Sequence, residues 1–268
     1  MGHCITGGTM AEQLDVTACV LVIGNEILSG RTQDKNINYL AKGLNDIGVR
    51  LREVRVVPDI RETIVSTVND CRRAFSYVIT TGGIGPTHDD ITSECIAEAF
   101  EVGMHRDPEV VALLQSYMKA GDLNEARLRM ATFPDGAELI QNPISAAPGY
   151  RIENVFVLAG VPQIMRAMFE NSRHLLVGGD PMLSRAVSVM LGEGVIAEGL
   201  GKLQNRYSDI DIGSYPAMRQ RRFGVSVVLR GIDAKRLNSA LADLKKLLVD
   251  LGGAPEDESP DDPPESEG

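Results

Sequence analysis

YVITTGGIGPTHDDIT (residues 77–92) couples a buried strand, a glycine turn and a helix start within sixteen residues. Its first five residues are a short apolar run closed by Gly82, the pattern of a strand buried on both faces. Gly82, Gly83 and Gly85 then free the main chain for angles other residues avoid, and let a ligand approach the backbone closely. A helical pattern begins at Thr92. Successive main-chain N–H groups ahead of a helix N-terminus form a concavity suited to phosphate. Pro86 stiffens this turn, and Thr81, Thr87 and Thr92 add hydroxyls.

The same motif occurs earlier. Ala18–Ile23 is a second apolar run, ended by Gly24 and followed by the polar stretch GNEILSGRTQDKN (24–36). Apolar residues then recur at helical spacing over 36–47. Residues 49–57 alternate as a strand with one wetter face, 60–75 form an amphipathic helix, and 92–100 begin another. Strand and helix alternate through the first hundred residues, which predicts a mostly parallel sheet with helices on both faces. Both glycine segments follow strands, so they are expected at one end of the sheet, where such folds bind ligands. Helices are expected at 108–119, 123–130 and 162–176, with short strands at 138–141, 150–153 and 155–158. After a linker at 178–181, strands at 184–190 and 223–229 and helices at 195–203 and 234–251 form a small α+β module over 182–252.

Composition narrows the function. The 268 residues are 43% hydrophobic and 24% charged, with only 4% aromatics and no Trp, and the net charge is −10. A stacking-based nucleic-acid binder or an anionic-membrane binder has the opposite profile, so neither nucleic acid nor membrane is an expected partner. Seven of the 37 acidic residues fall in Glu256–Gly268, leaving 30 against 27 Lys and Arg elsewhere. Residues 253–268 read as a disordered acidic tail and 1–17 as a disordered leader. Cys4, Cys19, Cys71 and Cys95 show no C-x-x-C spacing and fit reduced thiols in a cytoplasm. No apolar run is long enough to span a bilayer.

The two loops carry the chemistry. Neither G-x-G-x-x-G nor the P-loop pattern is present, so no NAD or Walker-type site is expected. Asp89 and Asp90 place two carboxylates beside the glycine turn. They would repel a phosphate unless a divalent metal bridged them; alternatively one merely caps the helix at Thr92. In the first loop Gly24, Asn25 and Gly30 supply backbone. Glu26 and Asp34 offer carboxylates, Ser29 a hydroxyl, and Lys35 a cation. Asp34 or Asn36 is expected to cap the following helix. His88 reads as a solvated loop histidine.

GNEILSGRTQDKN and TTGGIGPTHDDIT, with NPISAAPG (142–149) and GVPQIM (160–165), resemble the MoaB/Mog-type molybdopterin-binding domain. Within it they are most similar to the CinA branch and to the amino-terminal domain of eukaryotic FAD synthases. The resemblance covers about residues 18–177 and implies a three-layer αβα fold, a dimer or trimer, and a pterin or dinucleotide bound through its phosphates between the two loops. Mog-type members adenylylate molybdopterin, and their two important aspartates fall on Asp34 and Asp90. CinA-branch members resemble metal-dependent (Mg, Mn or Co) pyrophosphatases acting on ADP-ribose, and the FAD synthase domain is linked to FAD hydrolysis. On that pattern Asp34, Asp89 and Asp90 hold the metal, Asp34 and Asp90 are catalytic, and the glycine turn takes the developing charge. The alternative is a binding protein that holds molybdopterin without turnover. The module at 182–252 resembles CinA's KH-like middle domain but lacks the G-x-x-G clamp. CinA's amidase domain has no counterpart, so nicotinamide-nucleotide deamidation is not expected. Ser145 and Ala146 replace a Gly-Thr, while Ala159 and Ile164 replace a Pro and a Glu.

Overall fold

The computed structural model describes residues 16–119, 122–219 and 222–259, and the chain divides between Gly179 and Asp180 into two compact units. Residues 1–15 of the expected leader and the end of the acidic tail (260–268) lie outside the described residues, whereas Thr17, the last residue of that expected leader, opens the first strand.

The first unit runs β1 (Thr17–Ile23), α1 (Asn25–Leu28), α2 (Asn36–Asp46), β2 (Arg50–Val57), α3 (Arg61–Ala74), β3 (Tyr77–Thr81) and α4 (Thr92–Ala99). It continues with β4 (Met104–Arg106), α5 (Pro108–Tyr117), α6 (Glu125–Leu128), β5 (Thr132–Pro134), β6 (Glu138–Ile140), β7 (Gly149–Ile152), β8 (Val155–Leu158) and α7 (Pro162–Ser172). The main sheet has six strands in the order β2-β1-β3-β8-β7-β6. β2, β1, β3 and β8 are parallel, and β7 pairs antiparallel with both β8 and β6.

Alternation along β1 explains the three layers. Cys19, Leu21 and Ile23 join a core with Ile64 and Val68 of α3 and Ile96 of α4. Ala18, Val20 and Val22 join a second core with Leu40 and Leu44 of α2 and Met165 and Phe169 of α7. A strand covered on both faces has no polar positions to spare, which is why β1 reads as a continuous apolar run. From β1 the chain crosses to β2 on one side and then returns to β3 on the other. The carboxyl ends of β1 and β3 therefore flank a topological switch point, where open sheets bind ligands.

The second unit comprises β9 (Leu183–Val189), α8 (Glu193–Arg206), β10 (Asp211–Arg219), β11 (Arg222–Gly231), α9 (Ala234–Asp250) and β12 (Glu256–Glu258). Its sheet order is β10-β11-β9-β12, and Leu237, Leu244 and Leu248 of α9 pack with Val187, Val227 and Leu229.

Five further features differ from expectation. The acidic segment was expected to be disordered throughout, yet β12 pairs antiparallel with β9, Ser226 donates to Glu258 at 2.6 Å, and Lys245 pairs with Asp257. β10 was not expected: Gly213 and Pro216 mask it, and Pro is tolerated because β10 is an edge strand. The helix expected at 123–130 shrinks to one turn, α6, followed by a 3-10 turn at Arg129–Ala131. The polar stretch after β1 contains the single turn α1, and the short pair β4–β5 was also missed.

No helix among the described residues is long and apolar enough to cross a membrane. Cys95 on α4 is fully buried, and burial pushes its thiol up from 9.0 to about 11. Its folded pKa lies above the unfolded one, so the unfolded chain loses this proton first as pH rises. Stability from this group is complete below pH 9 and lost as pH climbs through 11. Urea unfolding at pH 8 and pH 10.5 should show wild type losing more stability than Cys95→Ala over that interval.

Candidate functional site

The site forms where β1, β3 and β8 end side by side. Gly82 has φ +105°, and a Cβ there would collide with the Ile23 carbonyl oxygen at the end of β1. Gly160, just past β8, lies against the same residue, with its own Cβ position 3.3 Å from the Gly82 Cα. Gly82 N–H donates to the Leu158 carbonyl at 3.1 Å, which joins the β3 exit to β8. Gly83 has φ +68°, and its missing side chain leaves room for Thr92. Thr92 Oγ1 donates to the Gly82 carbonyl, and its N–H to the Gly83 carbonyl, each at 3.0 Å. The glycine turn is thus fastened to the first residue of α4.

Beyond it, the turn at 87–90 gathers two carboxylates. Thr87 N–H donates to Asp90 Oδ2 at 2.8 Å. Thr87 Oγ1 lies 2.6 Å from Asp89 Oδ1 and 2.5 Å from Asp90 Oδ2. A hydroxyl has one proton, so it satisfies only one of these oxygens at a time. Neither aspartate caps α4, whose N-cap Ile91 has no side-chain hydrogen bond. The capping alternative is therefore rejected. The Thr87 hydroxyl, followed by the Asp89 backbone amide, holds the Asp89 carboxyl below its ordinary value. Gly85 leaves space for Asp90, whose Oδ2 would be 2.6 Å from any Cβ there. His88 is 97% exposed in its side chain, in keeping with a solvated residue.

The first loop faces this turn less directly. Asp34 Oδ1 accepts from Asn36 N–H at 3.0 Å and Ile37 N–H at 2.8 Å, so Asp34 is the residue that caps α2. Asn36 is 4% exposed, and its Nδ2 donates to the Gly160 carbonyl at 2.8 Å. That bond fixes the amide's orientation and leaves Oδ1 buried without a partner. Thr81 Oγ1, at the end of β3, is also buried without one. Both residues belong to the α2/α7 face, because Thr81 is in register with Val22. Asn25 N–H donates to Asp59 Oδ2 at 2.9 Å, and the Glu26 carboxylate folds over Gly24. Ser29 Oγ donates to the Glu26 carbonyl at 3.3 Å, Gly30 takes φ +70°, and Lys35 is exposed.

Among the described residues no three His, Cys, Asp or Glu side chains are grouped to hold a metal, so Asp34 does not join Asp89 and Asp90 in one cluster. Two carboxylates and a hydroxyl remain. This all-oxygen, incomplete donor set fits a hard cation that keeps waters and shares phosphate ligands, and it does not fit zinc. A cavity of about 450 Å³ beside α5, walled by Val111, Met118 and Leu128, contains none of these residues.

Three contributors escaped the sequence reading as site residues. Asp59 follows β2 and lies outside both loops singled out in the sequence. Gly160 was visible only within GVPQIM. Arg129, from the irregular segment before β5, donates to the carbonyls of Thr87 and Asp90 at 2.9 Å each.

Residues 19–176 match the family profile described as a probable molybdopterin binding domain, over this same sheet and both loops. The chain belongs to the molybdopterin-binding domain family. Within it, the domain resembles the crystal structure of the protein CinA of Thermoplasma acidophilum. That match has a TM-score of 0.56 and 31% identity over 59% of this chain and 96% of that one. A protein of Archaeoglobus fulgidus is 32% identical over 231 residues, 86% of this chain and 97% of that protein. A Caenorhabditis elegans protein named probable FAD synthase is 30% identical over 259 residues, 87% of this chain but half of that protein. Residues 181–252 match the FAD synthase middle domain.

Two outcomes follow from this geometry. Thr87→Val removes the hydroxyl that favours the Asp89 carboxylate, so side-chain carboxyl NMR should show that group titrating at higher pH than in wild type. Gly82→Ala forces a methyl against the Ile23 carbonyl at a strained φ and should cost about 2 kcal/mol or more in urea unfolding.

Proposed function

We propose that this chain, a CinA-like member of its family, hydrolyses the pyrophosphate linkage of ADP-ribose-type or FAD-type dinucleotides with a divalent metal. The observation that carries this reading is the pair of carboxylates gathered on one Thr87 hydroxyl beside the glycine-rich turn Gly82-Gly83-Ile84-Gly85. Carboxylates so placed raise local negative charge, and an anionic ligand joins them only with a cation between. A bound Mg²⁺, Mn²⁺ or Co²⁺ would supply Lewis-acid polarisation of a phosphoryl oxygen.

The chain's own residues do the rest. Asp89 and Asp90 would hold the cation, and the main-chain N–H groups of Gly83, Ile84 and Gly85, beyond the Gly82 N–H that is bonded to Leu158, would donate to phosphate oxygens. Lys35 and Asp34, at the entrance to α2, lie on the opposite loop, where an ammonium balances phosphate charge and a carboxylate orients the attacking water. A water oxygen forms a bond to one phosphorus and the bridging oxygen leaves on the other phosphate; one water proton goes to a carboxylate or to solvent, and the other stays on the newly formed phosphate. ADP-ribose would yield AMP and ribose phosphate, and FAD would yield AMP and FMN.

The buried, unpartnered Asn36 Oδ1 favours a ligand with more than phosphate at its end. An unprotonated phosphate has no hydrogen to give an amide oxygen, whereas a ribose hydroxyl or a ring N–H has. The absence of a three-carboxylate group among the described residues favours a second reading: a pterin-phosphate binding protein without turnover.

The purified chain with Mg²⁺, Mn²⁺ or Co²⁺ should cleave ADP-ribose or FAD, and Asp90→Asn should lower the rate about a hundredfold or more. Cleavage of neither substrate removes the hydrolase reading, and an Asp90→Asn variant as active as wild type removes Asp90 from it. A co-purifying pterin fluorescence with no turnover would establish the second.

A further inference from the structure

We propose that Arg129 is a positioning residue that fixes the carboxylate turn at Thr87–Asp90 and thereby sets its affinity for a divalent cation. This rests on the reading of Asp89 and Asp90 as cation ligands, and concerns how they are held.

Arg129 sits in the 3-10 turn 129–131, whose backbone is anchored by the fully buried Ala131 and by the Asp107 N–H, which donates to the Ala131 carbonyl at 2.9 Å. From there its guanidinium spreads over three acceptors. Nη1 donates to the Thr87 carbonyl at 2.9 Å; Nη2 donates to the Asp90 carbonyl at 2.9 Å and to Glu94 Oε1 at 3.3 Å. The Thr87 carbonyl also accepts from the Asp90 N–H at 3.2 Å, closing the turn. The turn therefore has two poles. Its carbonyls are drawn to the Arg129 fork, while both carboxylates collect on the Thr87 side chain.

The bland alternative is a surface ion pair between Arg129 and Glu94. Geometry argues against it. Both carbonyl bonds are shorter than the Glu94 contact, and Glu94 already pairs with Arg61 at 3.2 Å through its other oxygen. A planar fork reaching two carbonyls is a task lysine cannot reproduce, whereas lysine can keep a simple ion pair. Two like charges held on one hydroxyl repel each other, so the turn needs an outside restraint to keep them together. Arg129 supplies it from behind, without offering its charge to the ligand side.

The test uses the full chain and Mn²⁺ alone, with free Mn²⁺ read by electron paramagnetic resonance. Arg129→Gln should weaken Mn²⁺ binding roughly tenfold, Arg129→Lys should recover only part of that, and Glu94→Gln should stay within about twofold of wild type. Millimolar guanidinium should partly restore Arg129→Ala, while sodium at equal ionic strength should not. Equal losses in Glu94→Gln and Arg129→Gln, or full rescue by lysine, would overturn the proposal in favour of the ion pair. A metal-free readout separates this from failure of the cation reading itself. Hydrogen exchange at the Thr87 and Asp90 amides should quicken about tenfold in Arg129→Gln and not in Glu94→Gln. Unchanged exchange overturns the positioning role. Quickened exchange in a protein that binds no Mn²⁺ keeps Arg129 as the restraint on the turn but removes cation affinity from the proposal.

Discussion

At residue 82 the chain has no space for a carbon beyond Cα. The Ile23 carbonyl occupies the place a side chain would take, and Gly160 closes the site from the next strand. This close approach draws the exits of β1, β3 and β8 together, and the Asn36 side chain joins them through the Gly160 carbonyl. A methyl at residue 82 would push the β3 exit from the β1 exit and separate the Asp34 loop from the Asp90 turn. The fastening of Gly82 and Gly83 to Thr92 carries the constraint into α4.

Electrostatics then define what the crevice can receive. Glu26, Asp34, Asp89 and Asp90 line the two loops, against the cationic Arg31 and Lys35 and the clamped Arg129. Arg129 directs its donors at carbonyls, so it offsets little of the charge that an incoming phosphate meets. An anionic ligand arriving alone would face net repulsion; arriving with a hard divalent cation, it would find ligands for both. Polar atoms left buried without partners carry a free-energy cost. At Asn36 and Thr81 that cost falls at the strand ends, where a ligand can relieve it.

Much of the first unit was legible because β1, β3 and β8 are covered on both faces and the helices on one, and each environment leaves its own hydrophobic period. The glycine turns were legible for a steric reason that acts on the sequence directly. β10 was not, because an edge strand tolerates Gly213 and Pro216 and has no continuous apolar run. β12 was hidden by its acidity: Glu256 and Asp257 stay in contact with water or Lys245, and the pairing relies on main-chain bonds that composition does not record. Within the site, sequence reading located both loops and their carboxylates. It offered Asp34 or Asn36 as the cap of α2, and the structure selects Asp34. It could not see that Arg129 reaches across about 40 residues of chain to the turn at 87–90, because that contact depends on long-range folding and leaves no local pattern.

Anomalous scattering from crystals grown with Mn²⁺ and a non-hydrolysable ADP-ribose analogue tests the central claim most directly. The account predicts one Mn²⁺ peak bounded by the Asp89 and Asp90 carboxylates, with analogue phosphates on the glycine turn and a ligand donor on Asn36 Oδ1. A manganese peak held elsewhere, or an analogue bound away from the ends of β1 and β3, would contradict it.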